Sequence, residues 1–483
     1  MAEEKIKVQK IDDFRWKIPR EGKMRTDGVI YADERMFNDI RNDQSMAQVA
    51  NVAWLPGIVG YSLAMPDIHW GYGFPIGGVA AFDMHEGIVS PGGVGYDINC
   101  GVRLMRSGLS RTDIQGRMRD LVEVLFVNIP SGVGSHRKDL KLSREEERRV
   151  LKKGARWAVE KGFGTAEDLD HIEEQGCIEG ADPDCVSERA MERGRAQLGT
   201  LGSGNHFVEV GYVAEVYDET IAQALGLWKD QVTITVHTGS RGLGHQVCDD
   251  YIRVMLDAAR KYRIELPDPQ LCCAPVSSPE GKQYLEAMAC AANFAFTNRQ
   301  MITHWVRETF ERVFQKSPKS LQLDLIYDVC HNIAKIETHT IHGRTMKLCV
   351  HRKGATRAFP PNHPDIPADY RSIGQPVLIP GDMGRCSYVL VGTERAMEET
   401  FGSACHGAGR VMSRHQAIKA AKGRAIAREL EDKGIIVKGA SRGTIVEEMP
   451  EAYKDVTDVV NVVQHAGISL KVVKLIPMGV IKG

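Results

Sequence analysis

Ser90-Pro-Gly-Gly-Val-Gly-Tyr-Asp97-Ile-Asn-Cys100-Gly101 runs directly into Val102-Arg-Leu-Met105. Its glycines permit an unusual backbone path and a close approach to a ligand. At its exit stand a carboxylate and, three residues later, a thiol, both of them metal donors. Buried cysteine is commonly inert packing, but the glycine after Cys100 and the carboxylate before it favour ligation. The apolar run that follows predicts a strand. A donor-bearing loop therefore empties into a sheet.

The same arrangement recurs five times: Gly204-Asn205-His206-Phe207-Val208-Glu209, Val236-His237-Thr238-Gly239-Ser240-Arg241, Cys330-His331-Asn332, Pro380-Gly381-Asp382-Met383-Gly384 and Cys405-His406-Gly407-Ala408-Gly409. His237 and His331 end the apolar runs Val232–Val236 and Leu325–Cys330, which suits a side chain projecting from a strand terminus into a cleft. For either histidine alone, a hydrogen-bonded place at a sheet edge is the ordinary reading. Six such segments together read as loops converging on a metal and a phosphate.

Strands are expected at Gly78–Phe82, Val102–Met105, Val232–Val236, Leu321–Val329, Lys347–Val350, Ser387–Val391 and Leu470–Ile476. Ser143-Arg-Glu-Glu146 has capping-box form and opens an amphipathic run ending near Gly162. Residues 244–262, 279–315, 408–432 and 457–466 also read as helical. Strands and helices alternate irregularly, so the fold class is α+β. Residues 163–195 are polar and irregular and read as a surface excursion. With no linker and no repeat, residues 1–483 read as one continuous catalytic domain.

At 483 residues, 43% hydrophobic and 26% charged, the composition is that of a globular protein with a substantial core. Lys plus Arg number 62 against 63 acidic residues, which excludes a globally basic coat but not a local basic groove. The N-terminus is too charged for a secretory signal, and runs such as Leu121–Ile129 are too short to span a membrane. Eleven scattered cysteines without a CxxC pair suit free thiols in a reducing cytoplasm.

Asp97, Cys100, His206, His237 and His331 supply donors for one or two metals, with a thiolate able to bridge. Two metals about 3.5–4 Å apart suit phosphoryl transfer, and softness alone leans toward zinc. No P-loop occurs. The nearest approach to a lysine nucleotidyltransferase motif is Arg25-Thr-Asp-Gly28, and arginine cannot deprotonate to become a nucleophile. His406, among small neighbours, is the candidate nucleophile, since neutral imidazole serves at physiological pH. The rival reading of Gly407-x-Gly409 is a plain helix entry. Arg241, Lys353, Arg357, Arg410 and Arg414 flank these segments and predict an anion-lined cleft.

Val52-Ala-Trp-Leu-Pro-Gly57, Met65-Pro-Asp-Ile-His69, Ser90–Gly101, Gly202-Ser-Gly-Asn-His-Phe-Val-Glu209, His237-Thr-Gly-Ser-Arg241, His351–Pro360, Cys405–Arg410 and Met478-Gly-Val-Ile-Lys-Gly483 together closely resemble the RtcB family of GTP-dependent RNA-splicing ligases. The resemblance implies a single compact α+β catalytic domain, with mixed sheets surrounded by helices. It implies one manganese on Asp97, Cys100 and His206 and a second on Cys100, His237 and His331. It implies guanine-nucleotide contacts from Asn205, His206, Phe207, Val208 and Glu209, from His331 and Asn332, and from Pro380, Gly381, Asp382, Met383 and Ser387. His406, Gly407, Ala408, Gly409 and Lys482 complete them, with His406 carrying the guanylate. The implied reaction joins RNA 2′,3′-cyclic phosphate or 3′-phosphate ends to 5′-hydroxyl ends in tRNA splicing and RNA repair, with archease as helper. Some members carry a hydroxyl residue in place of Asp382, so its contact departs from the pattern. Two other readings remain: a dinuclear metallophosphoesterase that stops after opening cyclic phosphates, and a metal-stabilised RNA-binding protein without catalysis.

Overall fold

Two large sheets meet at one residue, and the site lies where they meet. The computed structural model describes residues 6–137, 140 and 142–483, so the charged segment Met1–Lys5 lies outside the described residues. The first sheet runs in the order Gln9–Lys10, Arg15–Ile18, Gly28–Tyr31, Ile58–His69, Ile76–Asp83, Arg344–Lys353, Asn332–Ile341. The second runs Asp324–Cys330, Gly101–Ser110, Gln231–Thr238, Phe207–Val216, Ser469–Lys482, Ser387–Gly392, Pro376–Ile379, with Ile436–Gly439 pairing parallel to Ser469–Lys482. Both are mainly antiparallel, and helices cover them. Among the described residues no helix is long and apolar enough to cross a membrane. The fold is α+β.

Every expected apolar run contains a strand, usually longer than the run itself, though Leu321–Leu323 remain outside Asp324–Cys330. Two expected helices are broken. The run opened by Ser143 keeps its capping box but splits into Arg144–Lys153 and Ala155–Glu160 at Gly154, where φ is +58°. A β-carbon there would sit 2.1 Å from the Gly176 carbonyl oxygen. Residues 408–432 form a loop and two short helices, Arg414–Ala420 and Ile426–Asp432. Gly409 has φ +76° and packs against the Asp67 carbonyl so closely that a β-carbon would meet it at 2.3 Å. Gly407-x-Gly409 is thus a close-approach loop, not a helix entry.

Residues 163–195 do not remain at the surface along their length. Asp168, Ile172, Glu173, Ala190 and Met191 are buried. The Glu173 carboxylate pairs with buried Lys335 at 2.6 Å and lies 3.4 Å from Arg357.

The helix Pro279–Phe314 runs through the core with most of its residues buried. Its Arg299 is fully buried, which demands compensation for the charge. Nε and Nη2 donate to the two Asp328 carboxylate oxygens, each at 2.9 Å. Nη1 donates to the carbonyls of Asn99 at 2.8 Å and Thr238 at 2.9 Å, and Nη2 also reaches Asn99 Oδ1 at 2.9 Å. Burial pushes the Asp328 carboxyl up, but Arg299 and Arg103 outweigh it and hold it below the usual range. Asn99 adopts φ +51°, a conformation that needs such support. Breaking a buried pair by removing one partner costs about 3–5 kcal/mol. Arg299→Met should therefore lower unfolding stability by roughly that amount in urea titrations. An unchanged midpoint would show that the network is not a structural constraint.

Candidate active site

Register brings the donors to one end of the second sheet. Gly101 pairs with both Thr238 and Cys330, Phe207 pairs with His237, and Lys482 pairs with Phe207. Cys100, His206, His237, His331 and Lys482, distant in sequence, thus lie at or just beyond adjoining strand ends. His331 is the single residue between Asp324–Cys330 of one sheet and Asn332–Ile341 of the other. Its amide donates to the Cys100 carbonyl at 2.9 Å. Asn332 Nδ2 donates to the Asp97 carbonyl at 3.1 Å, and Asn332 Oδ1 accepts from the Gly354 amide at 2.9 Å. Asn332 therefore ties the donor loop to the first sheet.

The five expected donors form two triads that share one thiol: Asp97, Cys100 and His206, then Cys100, His237 and His331. Cys100 Sγ lies 3.4 Å from His206 Nε2 and 3.3 Å from His237 Nε2. His206 Nε2 lies 2.8 Å from Asp97 Oδ2, and the Nε2 atoms of His237 and His331 are 3.3 Å apart. Burial drives His237 and His331 well below the usual imidazole range, which keeps them in the neutral, ligating form. Burial, and then Asp97, raise the Cys100 thiol; a bound cation reverses that preference by favouring thiolate. Although burial alone would raise Asp97, His206 and its hydrogen bonds bring the carboxyl down to about 2. Three imidazoles, a thiol and an ionised carboxylate, all within ligating reach, fit two transition-metal ions. A third donor group, Asp182, Cys185 and Glu286, contains no imidazole, and its thiol donates to Glu286 at 3.2 Å.

His406 follows the short strand Ser403–Cys405, whose partner Ala355–Arg357 leads back to the first sheet. Its ring centroid is 4.7 Å from that of His331. Nδ1 lies 2.6 Å from Asp67 Oδ2, and the same oxygen accepts from the amides of His406 at 3.0 Å and Gly407 at 3.3 Å. Burial raises the Asp67 carboxyl, but His406 more than offsets it and holds it below the usual range. An ionised carboxylate fixes the proton on Nδ1 and leaves Nε2 with its lone pair. Asp67 lies in Met65-Pro-Asp-Ile-His69, a segment without any local sign of a partner 339 residues away.

A cavity of about 330 Å³ adjoins this cluster. Asn205, Phe207, Glu209, Asn332 and Lys482 line it, as do Pro380–Met383 and His406–Gly409. Val208 and Ser387 do not: Val208 is wholly buried, and Ser387 Oγ accepts from the Gly381 amide at 3.2 Å. Asp382 lines the cavity, yet Oδ1 accepts from the Gly384 amide at 2.9 Å and Oδ2 pairs with Arg385. Its oxygens serve their own turn first. Glu448 and Tyr453, absent from the sequence reading, also line the wall; Tyr453 donates to Glu448, and the Arg410 guanidinium lies 4.9 Å from the Tyr453 ring centre.

Of the five expected cationic residues, Lys353, Arg410 and Arg414 reach the cavity. Arg357 is instead buried against Glu173 and Glu174. Arg241 binds Thr200 Oγ1 and the Gly132 carbonyl, bracing loops behind Asp97. Flanking position in sequence did not distinguish a cleft cation from a structural one.

The family profile for tRNA-splicing ligase RtcB matches residues 48–483. The chain belongs to the RtcB family. It is 54% identical over 481 residues to a Thermococcus kodakarensis protein named tRNA-splicing ligase RtcB, covering 99% of this chain and 100% of that one. A protein of the same name from Archaeoglobus fulgidus is 55% identical over 478 residues, with 99% of each chain covered. The Methanococcus maripaludis counterpart is 54% identical over 481 residues, covering 99% of this chain and 100% of that one. The family is one of RNA-ligating enzymes.

The shared thiol gives a direct test of the two triads. Cys100→Ser replaces a thiol that a bound cation can ionise with a hydroxyl that stays protonated near neutral pH. Bound manganese, measured by equilibrium dialysis with elemental analysis, should fall at both sites. His206→Ala should remove about one equivalent. Two retained ions in Cys100→Ser would show that the thiol bridges nothing.

Proposed function

We propose that this chain is a GTP- and manganese-dependent RNA ligase. It joins 2′,3′-cyclic phosphate or 3′-phosphate ends to 5′-hydroxyl ends, in tRNA splicing and RNA repair. The observation that carries the reading is His406, held through Nδ1 by buried Asp67 beside two donor triads and a cavity of nucleotide size. Two manganese ions on Asp97, Cys100, His206, His237 and His331 would neutralise phosphate charge and polarise the reacting phosphorus centres.

The protein's own groups then divide the work. GTP lies along the cavity, and His406 Nε2 attacks its α-phosphorus while Asp67 stabilises the positive charge growing on the ring. The Nε2–P bond forms as the bond to pyrophosphate breaks. A cyclic end opens by hydrolysis to a 3′-phosphate. An oxygen of that phosphate takes the guanylate from His406, and the imidazole is regenerated. The 5′-hydroxyl oxygen attacks the resulting RNA-ppG end, GMP leaves, and a phosphodiester remains. Guanylation converts a phosphate monoester, whose oxygen leaves poorly, into one with GMP as leaving group.

Glu209 is suited to read guanine. A carboxylate accepts from the N–H and NH₂ donors of a guanine edge, which adenine does not present together. Phe207 offers an aromatic face, with Lys482 Nζ 5.4 Å from its ring centre. RNA and GTP are the expected partners, with archease as helper protein on the family pattern. The eleven cysteines are all free, which supports a reducing cytoplasm as the working compartment.

Incubation with α-labelled GTP and manganese should attach an acid-labile, alkali-stable label to the wild-type protein and none to His406→Ala. That variant should still bind manganese and should seal RNA supplied with a preformed 3′-ppG end. Full labelling of His406→Ala would overturn the assignment. Asp67→Asn should slow guanylation by about 10²-fold or more while leaving the Michaelis constant for GTP within a few-fold.

Burial, reinforced by Asp382 and opposed by Lys482, pushes the Glu209 carboxyl up to about 8. Guanine donors favour its ionised form, so GTP binding should release a proton. Affinity should rise with pH by up to about tenfold per unit below 8 and level off above it. Calorimetry in buffers of different ionisation enthalpy between pH 6.5 and 8.5 checks this; Glu209→Gln should flatten the profile. An equally steep profile in that variant would assign the proton elsewhere.

A further inference from the structure

Part of the cavity lining comes from elements that the steps above do not use. His69-Trp70-Gly71-Tyr72-Gly73-Phe74 alternates aromatic rings with glycines. Gly73 has φ +72° and lies so near the Gln270 carbonyl that a β-carbon would meet it at 2.5 Å. Phe74 is buried against His351, and Lys353 Nζ donates to the carbonyls of Tyr72 and Phe74. These contacts anchor a turn whose Tyr72 ring faces the cavity, half-buried, while Trp70 is 54% exposed. Tyr96, also half-buried and lining the cavity, meets Tyr72 edge-on, with centroids 5.6 Å apart and planes at 68°. On its far side the exposed His245 ring lies 4.8 Å away at 33°, itself 3.8 Å from Asp249. Among the described residues, neither the Tyr72 nor the Tyr96 hydroxyl has a protein partner. No aromatic ring among the described residues stacks flat on Tyr72, whereas His245 tilts against Tyr96.

We infer that Tyr72 and Tyr96 form a stacking shelf for the terminal nucleobase of the RNA strand that carries the 3′-phosphate. The inference rests on the ligase reading. Tyr96 immediately precedes Asp97, so a phosphate held at the donor triads puts its own base within one nucleotide's reach of the ring. Phe207, Glu209, Tyr453 and Lys482, assigned above to the nucleotide, line the same cavity. A mononucleotide can end inside a cavity of about 330 Å³, but a polymer must leave it, and the exposed His245 ring lies against Tyr96 while exposed Trp70 stands two residues before Tyr72 in the chain. Stacking accepts any base, as a repair ligase facing varied ends requires.

Fluorescence anisotropy tests the shelf with manganese-loaded full-length protein, no GTP, and single-stranded RNA bearing a 3′-phosphate and a dye at the distal end. RNA made abasic at its 3′-terminal nucleotide should bind the wild-type protein roughly 5- to 100-fold more weakly than intact RNA. The Tyr72→Leu/Tyr96→Leu double variant should bind the two RNAs alike, and the corresponding Phe double variant should keep the discrimination. Equal binding of both RNAs by the wild type overturns the shelf whatever the variants' folding. So does a correctly folded Leu variant that still discriminates. Because the assay contains no GTP, it is independent of guanylation: a protein that takes no label from GTP defeats the ligase reading, while the anisotropy result still decides the shelf.

Discussion

Arg299 is the constraint on which the site depends. A guanidinium at zero exposure must have its donors met, and the partners available are Asp328, the Asn99 carbonyl and side chain, and the Thr238 carbonyl. Those partners belong to three segments that carry donors or border them: the strand ending at Cys330, the loop before Cys100, and the strand end after His237. One buried cation therefore fixes the spacing among three parts of the donor cluster. Arg103, also on Asp328, extends the brace along the second sheet at 2.7 Å. The long helix that carries Arg299 does not touch the reacting groups, yet their relative positions rest on it.

The second organising fact is the passage of the chain between sheets at His331. Two sheets sharing one residue cannot shift against each other without moving that imidazole. The bonds from Asn332 to Asp97 and Gly354 lock the crossing from both sides. His406 arrives from another direction, through Ser403–Cys405, and is fixed by Asp67 at the inner part of a first-sheet strand. The donor cluster thus belongs mainly to the second sheet, and the support of His406 to the first. The relative placement of the two depends on the joint at His331–Asn332.

Much of this was legible in residue order, for identifiable reasons. The donor types of Asp97, Cys100, His206, His237 and His331 are rare enough, and close enough to glycine, that their loops stood out. Strand positions followed from short β-branched runs, because a residue's preference for a pleated, half-buried surface is largely local. The failures were equally physical. The helix expected over 408–432 does not begin at 408, because Gly409 approaches the Asp67 carbonyl closely, a contact across more than 300 residues. Arg357 looked like a cleft cation, but Glu173, from a stretch that reads as surface, draws it into the interior. Asp382, whose contact departs from the family pattern, lines the cavity with its oxygens engaged by Arg385 and the Gly384 amide.

Residue order by itself set out the candidate chemistry: five potential metal donors, a histidine among small residues, an α+β alternation, and motifs long enough to indicate the family. Tertiary structure decided what each group faces. Only it could bring one thiol within reach of His206 and His237 at once, or seat Asp67 on His406 Nδ1 and so leave Nε2 free. Only it could separate Lys353, at the cavity, from Arg357, in a buried ion pair. Side-chain identity sets which bonds a group can make, a local property written in the chain. Burial and the identity of the partner set its charge state and direction, and these arise only when segments hundreds of residues apart are packed together.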